Sequence, residues 1–323
     1  MERGSLDPIG FRLTTRWSRP GQPGVTFGAI LVLAGRAAHL EAVRRPPTLA
    51  MTELPLSGIP NELLASISDA IFRYSVVLLK VWFDPPGVDN ILHVGAGTLV
   101  EAAGRHGIVT AYHVAREFSG ECYLGLTTST TGNDFKIHAS QVDVSPFDSP
   151  ADGEYGPDLA FISIGPRDRD EIAQVKEFYS LSAAKPGALD APPPLDVGVW
   201  VACGSPHERS RLDPGDDRFD AIAAFQLFCG FGGVDNEFQH AGMDFLEMAI
   251  DSTEPPDSSL SLKGMSGGGL WQVPIALSPT RQLLPSRFLF SGVIFWRDSL
   301  PDGRLLLRSH GRRSIYEGLF RLP

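Results

Sequence analysis

The sequence predicts an all-β protein of two antiparallel barrels, and three observations carry that prediction. Glycine and proline are abundant, 34 and 26 among 323 residues, and no long uninterrupted helical pattern occurs. Short β-branched and apolar runs recur between Gly/Pro punctuation on both sides of a Pro/Ala-rich connection, the pattern of closed antiparallel sheets. Hydrophobic residues make up 43% and charged ones 20%, the balance of a globular chain, and the length suffices for two full cores.

Taken in order, residues 1–50 stand apart, with seven arginines, no lysine and three acids. Residues 12–23 are rich in Arg, Pro and Gly without useful periodicity. Residues 25–35 form a short apolar piece that would suit the core of a secretory signal, but Pro20 and Pro23 precede it and Arg36 breaks it. Met51 opens a segment that looks more like a protein start. The preferred reading of 1–50 is a disordered extension or translation from upstream of the true start, with a signal as the alternative. Residues 51–73 are a lead-in with one short helix: Asn61 suits an N-cap, and Leu63, Leu64, Ile67 and Ile71 share a helical face.

The first barrel is assigned to 74–165. Its strands are expected at 74–83, 91–100, 107–110, 122–127 and 159–164, with a turn at 104–107 and a polar loop over 143–157. Residues 166–194, charged and then Pro/Ala-rich, form the linker. Strands at 197–203, 221–229, 245–250, 269–273 and 288–296 place the second barrel in 195–310. The tail 311–323 carries a short closing helix over 312–320.

Composition excludes several function classes. There are 28 basic and 38 acidic residues, a net charge of −10, which argues against a nucleic-acid surface. No run reaches the roughly 18–20 apolar residues of a membrane span. Cys122, Cys203 and Cys229 are odd in number and lack CxxC spacing, so neither a disulfide framework nor a cysteine zinc site is expected. That favours a reducing, cytoplasmic setting, with a secreted or periplasmic one if 1–50 acts as a signal. Eight histidines include no HExxH and no close pair, so no zinc enzyme is expected. Gly95-Ala96-Gly97 lacks the helix of a dinucleotide fingerprint, and Lys263 lies before Ser266 instead of three residues after it, unlike the Ser-x-x-Lys arrangement. Asp213, Asp216, Asp217 and Asp220 suit a solvated loop better than a calcium site. No cofactor and no metal are called for.

Three stretches carry chemistry. Gly264-Met265-Ser266-Gly267-Gly268-Gly269-Leu270-Trp271 sets one serine in a glycine turn, where main-chain N–H groups can converge beside a nucleophile. Alone it reads first as a glycine-rich loop between two strands. Gly107-Ile108-Val109-Thr110-Ala111-Tyr112-His113-Val114 ends a strand on a histidine, which by itself reads as a hydrogen-bonded structural residue. Pro157-Asp158-Leu159-Ala160-Phe161-Ile162 puts an aspartate at the mouth of a buried strand, by itself a turn or strand cap.

Jointly these stretches resemble the chymotrypsin/trypsin-like serine peptidase family. The resemblance rests on Thr110-Ala111-Tyr112-His113, Asp158-Leu159-Ala160 and Gly264-Met265-Ser266-Gly267-Gly268, in the order His, Asp, Ser with separations of 45 and 108 residues. Gly97-Thr98-Leu99-Val100 and Gly292-Val293-Ile294-Phe295-Trp296 look like the family's strands before the histidine and after the serine. The match covers roughly 74–300, about two-thirds of the chain.

The resemblance implies two six-stranded antiparallel barrels, one bearing His113 and Asp158 and the other Ser266. It implies His113 as general base, Asp158 as its orienting acid and Ser266 as nucleophile, with the Gly264 and Ser266 N–H groups as oxyanion hole. Loss of one such donor costs about 3–4 kcal/mol of transition-state stabilisation. Leu260, Phe295, Trp296 and Arg297 would line the substrate pocket.

Three departures qualify this. Met265 stands where secreted members have the aspartate that pairs with a new N-terminus, so activation by N-terminal cleavage is not expected and a bacterial-type intracellular member is. Leu260 replaces an acidic pocket floor, which points to an apolar or small P1 side chain. Arg297 follows Trp296 where the family often has glycine, and would narrow the pocket or attract an acidic residue. The expected function is a trypsin-like serine endopeptidase working through an acyl-enzyme on polypeptide substrates, with no nucleic-acid or membrane partner and with room for an activating or inhibiting partner. The alternatives are a protease-like binding or regulatory module with a latent triad, and an esterase on the same fold.

Overall fold

The computed structural model describes residues 15–16, 58–84, 89–127, 134–147, 157–209, 211–213, 222–250, 262–300 and 304–319. The expectations for most of 1–50, for Leu260 and for the acids at 216–220 lie outside the described residues. The fold is all-β with a short C-terminal helix.

Helix α1 (Asn61–Phe72) leads in, beginning one residue earlier than an Asn61 cap would allow: Pro60 is extended at φ −60° and Asn61 is already helical. Its buried face, Leu64, Ile67, Ser68 and Ile71, follows the expected i, i+3, i+4 spacing. Then come β1 (Ser75–Phe83), β2 (Asp89–Ala102), β3 (Arg105–Thr110), helix α2 (Tyr112–Ala115), β4 (Tyr123–Thr127), β5 (Asp134–His138), β6 (Asp143–Pro146) and β7 (Ala160–Ser163). They form one sheet in the order β5-β4-β1-β2-β3-β7-β6. Its interior holds Val76, Leu78, Leu99, Ile108, Leu124 and Ile162, fully buried by the curl of the sheet.

This half corrects the expectation of a closed first barrel. Among the described residues no ladder joins β5 to β6, and the 3₁₀ turn Ala139–Gln141 links these two outer strands. Phe135, Val142 and Val144 still pack on the same core, so the interior is barrel-like while the ladder is open. Strand β6 also occupies the start of the loop expected over 143–157; its side chains are too polar to announce a strand, and only pairing with buried β7 makes it one.

The second half closes as expected. Strands β8 (Tyr179–Ser180), β9 (Val199–Gly204), β10 (Phe228–His240), β11 (Met243–Ile250), β12 (Gly269–Val273), β13 (Leu289–Ser299) and β14 (Leu305–His310) complete the main sheets. All but β8 make a six-stranded barrel in the order β9-β10-β11-β14-β13-β12, while β8 runs parallel to β2. Strand β14 has no counterpart in the sequence expectations. It carries Arg308, only 4% exposed, which is neutralised by Glu247 at 2.7 Å and stacked over Trp296 at 4.3 Å.

The expected linker at 166–194 is built into the fold. Helices α3 (Pro166–Ile172) and α4 (Leu181–Lys185) flank β8, and Ile172, Tyr179 and Leu181 are buried. Tyr179 sits in an aromatic cluster with Tyr74, Trp271 and Phe290, its ring 5.1 Å from Trp271 and 6.2 Å from Phe290. Such edge-to-face pairs add about 0.5–1.5 kcal/mol each beyond area burial, enough to fix how the two halves meet. Helix α5 (Arg312–Gly318) closes the chain, capped by Asp244 of β11, which accepts from the N–H groups of Arg313 at 2.9 Å and Ser314 at 2.7 Å. Cys203 and Cys229, 26 positions apart in sequence, face each other across β9 and β10 as free buried thiols.

Candidate active site

The histidine is set by the end of β3. Ala111 is extended and fully buried, α2 begins at the next residue, and Val114 turns into the core. His113 is left at the surface of the groove with its side chain 38% exposed. Asp158 meets it twice: Oδ1 accepts the backbone N–H of His113 at 2.8 Å, and Oδ2 faces Nδ1 at 2.5 Å. An ionised carboxylate only accepts, so Nδ1 carries the proton and Nε2 is left as the basic nitrogen. Burial alone would raise the Asp158 carboxyl. The hydrogen bonds and charge of His113, with the charge of His310, outweigh it and hold the group below its ordinary value.

The serine turn is held between the two halves. The Ser266 carbonyl accepts from the N–H of Ala96 on β2 at 2.9 Å. On the other side, the Gly267 N–H donates to Ile294 O at 2.7 Å, and the Ile294 N–H to Gly268 O at 2.9 Å. Gly267 has φ +82°, and a Cβ there would overlap Thr110 Oγ1 and the Ala96 carbonyl. A Cβ at Gly95 would come within 2.6 Å of Ser266 O, so both ends of this contact need glycine.

The donors expected of an oxyanion hole follow from two peptides. The Lys263 carbonyl accepts from the His207 N–H at 2.6 Å, and the Met265 carbonyl from the Gly268 N–H at 2.9 Å. In a trans peptide the N–H lies opposite the carbonyl, so the Gly264 and Ser266 N–H groups face the other way. Among the described residues neither is engaged by another group. Nor, among them, does Ser266 Oγ hydrogen-bond to His113.

The remaining pocket residues diverge. A register shift in β13 between Ile294 and Trp296 rotates Phe295 inward, where it is 8% exposed and stacks on His310 at 4.4 Å. Phe295 thus packs with the core of the first sheet, against His310. Trp296 is half-buried against Arg308, and Arg297 is exposed. The charge of Arg297 is felt at His207, whose pKa is lowered by burial first, then by Lys263 and Arg297. His207 packs on His93 with ring centres 4.5 Å apart, and burial pushes His93 down to about 3. His207 lies beside Gly264 and feels the positive charges of Lys263 and Arg297, partly offset by Glu208, whose Oε1 accepts from the Leu262 N–H at 2.7 Å.

Two histidines near the site had no sequence signal. His207 follows a Ser-Pro pair, and His310 stands between Arg308-Ser309 and Gly311. No group of three or more His, Cys, Asp or Glu side chains that could hold a metal occurs among the described residues. No helix among them is long and apolar enough to cross a membrane.

No family model and no curated protein matches the chain. Among solved structures it is similar to a chain from work on how aromatic interactions drive the coupled folding and binding of the intrinsically disordered Sesbania mosaic virus VPg protein. The two share 15% identity at a TM-score of 0.38, over 78% of this chain and 91% of that one.

Proposed function

We propose that the protein is a serine endopeptidase that cleaves polypeptides through an acyl-enzyme formed on Ser266. The observation that carries this reading is the two-point hold of Asp158 on His113, which fixes the tautomer a general base needs. Ser266 Oγ would attack the scissile carbonyl while His113 Nε2 takes its proton and later returns it to the leaving amine. The Gly264 and Ser266 N–H groups would receive the oxygen that becomes negative. Leu260, Phe295, Trp296 and Arg297 are the proposed substrate contacts. A cytoplasmic setting, read from the odd cysteine count, belongs to the same proposal and is tested by fractionation.

The test is labelling with a fluorophosphonate, comparing the intact protein with Ser266→Ala and His113→Ala. We expect labelling of the intact protein and its loss in both variants, with the stability of Ser266→Ala unchanged to within about 1 kcal/mol and that of His113→Ala lower by about 1–3 kcal/mol, because Asp158 loses its Nδ1–H partner. A second reading, a binding module with a latent triad, is favoured by the absence of a Ser266–His113 hydrogen bond. Folded intact protein that takes no label would select it. Hydrogen bonds of this kind are often loose without substrate, so the enzyme reading stands first.

A further inference from the structure

We propose that His310 is a positioning residue: it holds the main chain of Asp158, and through it the carboxylate that orients His113. This rests on the reading of His113 and Asp158 as a catalytic pair.

The two residues are 152 positions apart, one at the entrance of β7 and the other the last residue of β14. The Asp158 N–H donates to His310 Nε2 at 3.0 Å, a tie from the sheet bearing His113 to the barrel bearing Ser266. The contact at Ala96–Ser266 joins the same halves on the serine side. The aromatic cluster around Tyr179 sets how the halves meet, and these two contacts act locally, at the acid and at the serine.

His310 is built to stay where it is. It is fully buried and packed by two rings, Phe295 at 4.4 Å and 23° and Phe245 at 5.1 Å and 42°. The inward turn of Phe295 at the β13 irregularity supplies one of those rings. Because Nε2 accepts, the proton of the neutral ring is on Nδ1. The charged groups facing it are the carboxylates of Asp158 and Asp244, which would favour a charged ring, but burial dominates and brings His310 down to about 4. At neutral pH the acceptor is therefore always available. A protonated ring would present N–H to N–H and release Asp158.

The experiment compares His310→Gln, whose amide oxygen can reach the Nε2 position, with His310→Leu, which fills the space without an acceptor. The readout is the downfield proton resonance of His113 Nδ1–H in the full-length protein, identified by its loss in His113→Ala. Fluorophosphonate labelling rates are measured in parallel on the folded fraction. The expected result is a retained resonance and labelling within about threefold in His310→Gln, against a lost or shifted resonance and labelling about ten- to a hundredfold slower in His310→Leu. If His310→Leu does not fold, His310→Asn takes its place, since its shorter amide keeps polarity but falls short of the Asp158 N–H. Equal resonances and rates in the two variants overturn the proposal. An intact protein that takes no label but shows the predicted pattern of resonances rejects the peptidase reading and leaves the positioning role in place.

Discussion

At the scale of single residues, the site depends on positions where a side chain would be in the way. Gly267 combines φ +82° with direct contact to Thr110 and Ala96. Gly267→Ala should therefore cost about 2–5 kcal/mol, from a left-handed alanine and an overfilled contact together. Urea midpoints would measure the stability loss, and labelling of the folded fraction should fall further, because the Ser266 turn loses its seat on β2. The same residue was visible in the sequence as part of a glycine run, and so were His113, Asp158 and Ser266, each in a short local pattern. His310 was not visible in that way. Its role comes from one hydrogen bond to a residue 152 positions away, and no window of sequence contains both.

At the scale of elements, the fold is held by devices that sit between strands and helices. Helix α5 is only seven residues long and is capped by a carboxylate from β11. Asp244 also accepts from Ser314 Oγ at 2.5 Å, but that hydroxyl reaches the main-chain carbonyl of residue 244 as well, so Asp244→Ala leaves two N–H donors without their acceptor. The expected cost is about 1–3 kcal/mol, read as a lower urea midpoint, with the barrel strands still protected from amide exchange. The sequence placed a short closing helix over 312–320 but not its cap, which comes from a residue about 70 positions away. It signalled strands at 74–83 and 269–273 by their β-branched and apolar content. Strands β5 and β6 escaped because they are short, polar and at the ends of the sheet, where pairing and not composition decides.

At the scale of the molecule, three histidines are kept neutral by burial around the junction of the two halves. His93 is brought to about 3 and His310 to about 4, and His207 is lowered as well. The unfolded chain binds these protons near the ordinary value of 6.5, so stability is fully present above 6.5 and is lost as the pH falls towards the folded values. Asp158, held low by its partners, adds a further loss below the ordinary carboxylate value. Urea unfolding at pH 7 and pH 4.5 should differ by about 5 kcal/mol, with His310→Gln recovering about half of the difference. Equal stability at the two pH values would show that the histidines are not held neutral.

The sequence by itself determined that the chain is built of strands and turns, roughly where many of them lie, and in which three short patterns His113, Asp158 and Ser266 stand. Those properties are local: glycine conformational freedom, β-branched runs and residue chemistry act within a few positions. Only the tertiary structure decided that the second barrel closes while the first stays open, that the expected linker packs into the core, and that Phe295 turns inward beside His310. These outcomes depend on register and burial between distant segments, where a shift of one residue reverses which side chains face the core. Local propensity does not encode that choice; the packing of one half against the other does.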